Sequence, residues 1–272
     1  MISLLRPHHW IKNLLIIAPL FFAKDLFSVS LLLNTIYAFI AFSLAASIVY
    51  ILNDIADRES DMQHPEKKER AIASGRVSIS QAFALLAVLT IGNAIFIALF
   101  ISHIWLLIAG YVVLNILYSF SLKNISLVGI MMVASFYVLR IWTGGMAAAV
   151  PISEWIILCT FFASLLVLTA KRLASQKKTQ YSIYTASFLQ TLLLFTAGLT
   201  VMSYSLYSIL AIHSSLGVYS ILFVIIGVLR YLQLTEQSLL VEYPEKILLT
   251  DPLLISSIIG WSIYMFFIFY IL

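Results

Sequence analysis

Apolar residues fill this chain in long runs, and polar residues break those runs at fairly regular intervals. About 20 apolar residues make a helix long enough to cross a ~30 Å hydrocarbon core. Cutting the chain at its charges and turn residues leaves nine such runs, approximately 11–27, 32–52, 79–101, 104–121, 125–146, 154–171, 182–205, 210–230 and 252–272. Each is too apolar around its whole circumference to be a surface helix with one wet face. The pattern predicts an all-α, polytopic membrane protein whose nine transmembrane helices form one domain over residues 1–272.

Composition agrees with the pattern. With 62% hydrophobic residues, 10% charged residues and a mean hydropathy of +1.04, the chain has too little polar surface to cover a water-soluble globule. Lysine and arginine then orient the helices, because cytoplasmic loops carry their excess. With the amino terminus in the cytoplasm, fourteen of the sixteen basic residues fall on the cytoplasmic face, leaving Lys24 outside and Arg140 within the fifth run. The expected location is therefore a cell membrane (plasma or inner), crossed many times. The net charge of +4 matches loops facing anionic lipid and does not indicate a nucleic-acid partner.

Smaller features add little. The first run is of full span length, contains Pro19 and lacks a small-residue cleavage site, so it is expected to be retained rather than removed as a signal peptide. Cys159, the single cysteine, reads as an apolar filler. Trp10, Trp105 and Trp155 begin runs where an interfacial aromatic belt is expected. The five histidines show no paired metal-ligand spacing, and His64 reads as a loop residue. Arg140 lies close enough to the expected outer interface near Gly144 to snorkel outward, and is left out of the candidate site. Gly144, Gly145 and Ala147 to Ala149 read as a small-residue packing surface.

The exception to this apolar monotony is NDIADRESDMQHPEKKERAIASG, residues 53–75, which holds six of the twelve acids at the cytoplasmic end of the second run. At ~100° per residue, Asn53, Asp54, Asp57 and Asp61 fall within an arc of about 100° while Glu59 points away. Carboxylates so close repel one another unless a cation stands between them. Hard oxygen donors in an incomplete shell suit Mg²⁺, which keeps waters and takes further ligands from substrate phosphates. Lys67, Lys68, Arg70 and Arg76 follow directly and are placed to hold phosphate oxygens. The bland alternative is a solvated loop of acids and bases with short-range ion pairs.

The motif N-D-x-x-D-x-x-x-D at Asn53, Asp54, Asp57 and Asp61, with Arg70 and the Ala73-Ser74-Gly75 turn, resembles the first aspartate motif of the UbiA superfamily of intramembrane prenyltransferases. RPHHWIKN (Arg6 to Asn13), DMQHPEKKER (Asp61 to Arg70), YSFSLKN (Tyr118 to Asn124), the Arg140 to Gly145 segment, AKR (Ala170 to Arg172) and PEKILLTD (Pro244 to Asp251) are similar to its decaprenyl-phosphate phosphoribosyltransferase branch. The resemblance implies a nine-helix UbiA-like fold and Mg²⁺-dependent transfer of 5-phosphoribosyl from phosphoribosyl diphosphate to a polyprenyl phosphate. It makes Asp54 and Asp57 the expected catalytic acids and Asn53, Asp54, Asp57 and Asp61 the metal ligands. Substrate contacts are expected from Asn53, Lys67, Arg70, Tyr118, Lys123, Asn124, Lys171 and Arg172.

Three positions depart from the branch pattern: Gly129 where it has an aspartate, Ser175 where it has a glutamate, and Ala71 where it has a proline. The second D-x-x-x-D of the wider superfamily is not found. A second cation is then absent, or held by acids such as Glu245 and Asp251, or the acceptor differs. Two other readings stay open: transfer of an isoprenoid from prenyl diphosphate to an aromatic or other small acceptor, and a non-catalytic membrane carrier.

Overall fold

In a bilayer every backbone polar group must be satisfied within its own segment, and the computed structural model answers with helices throughout. It describes residues 2–64, 67–176, 184–212, 214–237, 247 and 250–272. Among these, α1 (Ile2–Leu5), α2 (Ala18–Phe22) and α4 (Arg58–Gln63) are short. The long helices are α3 (Val29–Ala56), α5 (Ile79–Phe100), α6 (Trp105–Phe120), α7 (Val128–Ala148), α8 (Glu154–Gln176), α9 (Ala186–Leu210), α10 (Ile221–Gln237) and α11 (Pro252–Tyr270). Eight segments of the described residues are long and apolar enough to cross a membrane, α6 and α10 being extended by the short 3₁₀ turns Ser102–Ile104 and Ser215–Ser220.

The difference from the nine expected spans lies at the amino end. Residues 11–27 do not form one α-helix: Pro7–Ile17 is a 3₁₀ helix, continued by α2. Its partners on α3 fix its direction. Ser47 Oγ donates to the Leu5 carbonyl at 2.8 Å and accepts from Trp10 Nε1 at 3.1 Å, and Asn13 Nδ2 donates to Ser43 Oγ at 2.9 Å. As the numbers rise on one strand of chain they fall on the other, so the segment runs antiparallel to α3. At ~2 Å per residue the 3₁₀ stretch and α2 together extend about 30 Å despite their short sequence.

The chain divides into two compact units, residues 1–123 with 139–152, and residues 124–138 with 153–272. In the first unit α3 is the buried centre, with 61% of its most apolar window covered, whereas α5 covers 11% and turns Leu99 and Val88 outward as a lipid-facing helix does. Gly144 lies against the Ile16 backbone so closely that a Cβ there would collide with the Ile16 carbonyl oxygen, which bears out the packing role of this glycine. In the second unit Ala134, Leu165, Leu166, Ala170, Leu173, Leu189, Leu193 and Ala197 build the core. Hydroxyls inside spans return their protons to carbonyls four residues back, as at Thr35, Thr90, Thr169 and Thr200.

Local signals set the helix starts. Ser78 and Gln81 form a capping box at α5 (3.2 and 3.0 Å), Thr185 caps α9, and Asp251 followed by Pro252 opens α11. Asp251 also takes Arg230 on both carboxylate oxygens (2.7–3.2 Å). As arranged, Asp251 is a helix cap and ion-pair partner. Glu245, the other candidate, lies outside the described residues, as do Glu66, Lys177, Lys178 and Lys246.

Candidate active site

The last turn of α3 delivers Asn53 and Asp54, and α4 delivers Asp61. Between them the helix is not continuous. Asp57 sits at the joint with φ −90° and ψ 6°, although its amide still donates to the Asn53 carbonyl (2.8 Å) and its own carbonyl accepts from Asp61 (2.8 Å). The four oxygen-bearing side chains find two sets of partners. Asp54 and Asp61 are buried at 3% and 2% exposure and share Arg70, whose Nη1 donates to Asp54 Oδ1 at 3.3 Å and Asp61 Oδ2 at 2.7 Å. Asn53 and Asp57 meet the end of α6: Ser119 Oγ donates to Asn53 Oδ1 at 2.7 Å, and Lys123 Nζ to Asp57 Oδ1 at 3.4 Å.

The loop after α4 explains how Arg70 is held. Ser74 N donates to the Arg70 carbonyl (2.8 Å) and Val77 N to the Ala71 carbonyl (2.9 Å), and Gly75 takes the left-handed conformation (φ 74°) that closes the turn. Ala71, Ile72 and Val77 then plug into a small apolar cluster with Leu4, Ile51 and Ala82. Burying three side chains of this loop anchors an otherwise polar segment and aims Arg70 back at the acids. Arg76 folds onto the same loop, donating to Ser74 Oγ at 3.1 Å and to the Glu69 carbonyl, while Lys67 and Lys68 are exposed on their 3₁₀ turn.

The sequence reading did not include Arg6. Its Nη2 donates to Asp54 Oδ1 at 2.5 Å, and its guanidinium lies 5.1 Å from the centre of the Tyr50 ring. Arg6 adopts φ 48° and ψ 57°, a left-handed conformation that costs a non-glycine residue about 1–2 kcal/mol, and the ion pair with buried Asp54 offsets it. The signal was the RPHHWIKN block, which Arg6 heads. Ser119, inside YSFSLKN, was missed for the same reason: its partner is 66 residues away.

Arg140 does not snorkel outward. It is 5% exposed, its Nε donates to Asn13 Oδ1 at 2.8 Å, and its guanidinium covers the Phe42 and Tyr111 rings at 4.9 and 5.5 Å. It therefore ties the 3₁₀ segment to the buried centre of its unit. Of the remaining expected residues, Tyr118 is half-buried beside Ser119, and Asn124, Lys171 and Arg172 are exposed in the second unit, the last two on the closing turns of α8.

The donor set fits a hard divalent cation. Three carboxylates and an amide oxygen lie within nine residues, the kind of hard oxygen donors that such an ion takes. As arranged, the acids bond to basic side chains, and no ready-made group of three metal-ligating side chains is found among the described residues.

Comparison with known proteins decides the family. The model of the UbiA prenyltransferase family matches residues 14–242. The chain belongs to that family. It is 31% identical over 275 residues, covering 96% of this chain and 91% of the relative, to a protein of Mycobacterium tuberculosis (strain CDC 1551 / Oshkosh) named decaprenyl-phosphate phosphoribosyltransferase. A protein of the same name from Corynebacterium glutamicum is 34% identical over 230 residues, covering 79% and 69% of the two chains. A solved structure described as giving insight into digeranylgeranylglyceryl phosphate synthase in membranes superposes with a TM-score of 0.61 over 98% of this chain and 94% of that one; at 17% identity it shows the shared fold alone. The UbiA family member described here is thus an all-helical, multi-pass membrane protein and a prenyltransferase-type enzyme.

Proposed function

We propose that this UbiA family protein transfers 5-phosphoribosyl from phosphoribosyl diphosphate to a polyprenyl phosphate, releasing pyrophosphate. One observation carries the reading: Asp54, Asp57 and Asp61 converge with Asn53 at one end of α3 and are met there by Arg6, Arg70 and Lys123. A set of hard oxygen donors with a basic rim suits a metal-complexed diphosphate. The names of the relatives supply the acceptor and the transferred group.

On this reading Asn53, Asp54, Asp57 and Asp61 hold Mg²⁺, which supplies neutralisation of the charge that builds up on the departing pyrophosphate. Asp54 and Asp57 are the acids on which turnover depends. The Arg70 fork, Lys123 and the exposed Lys67 take phosphate oxygens, with Tyr118 as a further substrate contact. No general base is needed, because the polyprenyl phosphate is already an anion. The protein's work is to position two phosphorylated substrates and stabilise leaving charge. In topology, the antiparallel run of Pro7–Phe22 beside α3 and its ~30 Å reach support a ninth crossing, with the amino terminus on the same cytoplasmic side as the α3–α5 loop.

The rival reading, transfer of an isoprenoid from prenyl diphosphate to an aromatic or other small acceptor, uses the same acids. Membranes containing the protein, given labelled phosphoribosyl diphosphate and a polyprenyl phosphate with Mg²⁺, are expected to form a labelled lipid that disappears on chelation. No labelled lipid, together with activity on a prenyl diphosphate, would replace this reading with its rival. Activity with neither would favour the carrier.

A further inference from the structure

Among the described residues, Asp54 Oδ1 receives two guanidinium groups, Arg6 at 2.5 Å and Arg70 at 3.3 Å, and Asp61 receives one, Arg70. Asp54 is thus the most heavily neutralised acid of the cluster. Counting ion pairs, Arg6, Arg70 and Lys123 face Asp54, Asp57 and Asp61, three positive charges against three negative ones. A divalent cation entering this balanced set adds two charges, and an incoming anion offsets them.

The backbone around Arg6 cannot follow a departing ligand. Leu4 is fully buried, the Leu5 carbonyl is held by Ser47, Pro7 begins the 3₁₀ segment, and Trp10 and Asn13 are pinned to α3. The guanidinium, 18% exposed as part of its side chain, is the movable part. It has five donors in a fork that matches a phosphate as well as a carboxylate.

We propose that Arg6 is a diphosphate-binding residue that competes with the metal for Asp54 and, once displaced, ligates the anion that arrives with the metal. This rests on the metal-diphosphate reading above. It makes metal and diphosphate uptake mutually dependent: the cation releases Arg6 from Asp54, and the released Arg6 stabilises the anion. Both states use the same anchored backbone, and only the side chain changes partner.

The competition gives opposite signs in two measurements on the purified full chain in lipid nanodiscs. Titration with Mn²⁺ alone, read by its electron paramagnetic resonance signal, is expected to show metal binding about threefold to tenfold tighter in Arg6→Gln than in wild type. Removing one partly exposed charge-assisted bond from the ligand justifies a change of that size. Binding of radiolabelled pyrophosphate at a fixed excess of Mn²⁺ is expected to weaken about tenfold in the same variant. Arg6→Lys, which keeps the charge without the fork, is expected to match wild type for Mn²⁺ alone and to lose a few-fold for pyrophosphate; it carries the test if Arg6→Gln does not fold. A purely structural Arg6 would make both constants worse together or leave both unchanged, and either result overturns the proposal. If wild type itself takes up no pyrophosphate with Mn²⁺, the underlying metal-diphosphate reading is what fails.

Discussion

Arg140 is a guanidinium buried in the membrane-embedded part of its unit, and its pairing with Asn13 makes a sharp prediction. A charged side chain at the centre of a span costs about 2.5–3.5 kcal/mol on insertion scales, so replacing it with an apolar residue could stabilise the protein, as it does for some buried ion clusters. Against that stand the charge-assisted hydrogen bond to Asn13, about 1.5–3 kcal/mol, a hydrogen bond to Tyr111, and two ring faces at about 0.5–1 kcal/mol each. Arg140→Met also leaves Asn13 Oδ1 without this donor at 1% exposure, a further ~1–3 kcal/mol. These terms overlap, and the expected net loss is about 2–3 kcal/mol. Asn13→Leu removes the acceptor and keeps the charge, so it is expected to be worse, about 3–5 kcal/mol. The double variant is then expected to be more stable than Asn13→Leu alone, because the charge has gone with its partner. Denaturant unfolding of the purified protein in detergent, followed by tryptophan fluorescence, measures all four corners of the cycle. Strict additivity, or a neutral Arg140→Met, would refute the idea that this arginine holds the amino-terminal segment.

Other expectations follow from the same geometry. Asp54→Asn and Asp57→Asn are each expected to lower transfer of labelled phosphoribosyl at least ~100-fold while the protein still purifies as a folded species; full activity in both would return residues 53–75 to a solvated loop. Gly144→Ala forces a Cβ into the Ile16 backbone, which cannot rotate away as a side chain would, and should cost about 1–3 kcal/mol in the same unfolding assay, with Gly92→Ala, where nothing lies within 4 Å, as a near-neutral control. Asp251 is held below the usual carboxylate range, first by the Arg230 guanidinium and then by the Leu254 amide. A depressed carboxylate stabilises the fold above the unfolded value near 4 and loses that contribution as pH falls through its lower folded value. Asp251→Asn should therefore flatten the acid side of the stability profile below about pH 4, and an unchanged profile would count against the pair.

Much of this protein was legible as sequence because its solvent writes a local signal. A helix that crosses hydrocarbon needs a contiguous apolar run, so run length alone located the eight long helices to within a few residues, except that α10 is displaced toward the carboxyl end by its 3₁₀ entry. The aspartate spacing was local too, and it marked Asn53, Asp54, Asp57 and Asp61 before any partner was known. At two places local reasoning did not set the path of the backbone. Residues 11–27 satisfy a hydropathy count yet form a 3₁₀ segment with α2, because pairing with α3 at Ser43 and Ser47 and the close approach at Gly144 set their path. A single helical wheel through Asp61 treats residues 53–61 as one helix, whereas Asp57 leaves α-helical geometry between α3 and α4.

The sequence alone determined the bilayer, the helices and a carboxylate-rich helix end, because each depends on neighbours within about twenty residues. Only the tertiary structure decided which charges answer which. Arg6 reaches Asp54 across 48 positions, Lys123 reaches Asp57 across 66, and Arg140 reaches Asn13 across 127. Ion pairs form wherever folding brings opposite charges within a few ångströms, and no periodicity along the chain encodes that distance.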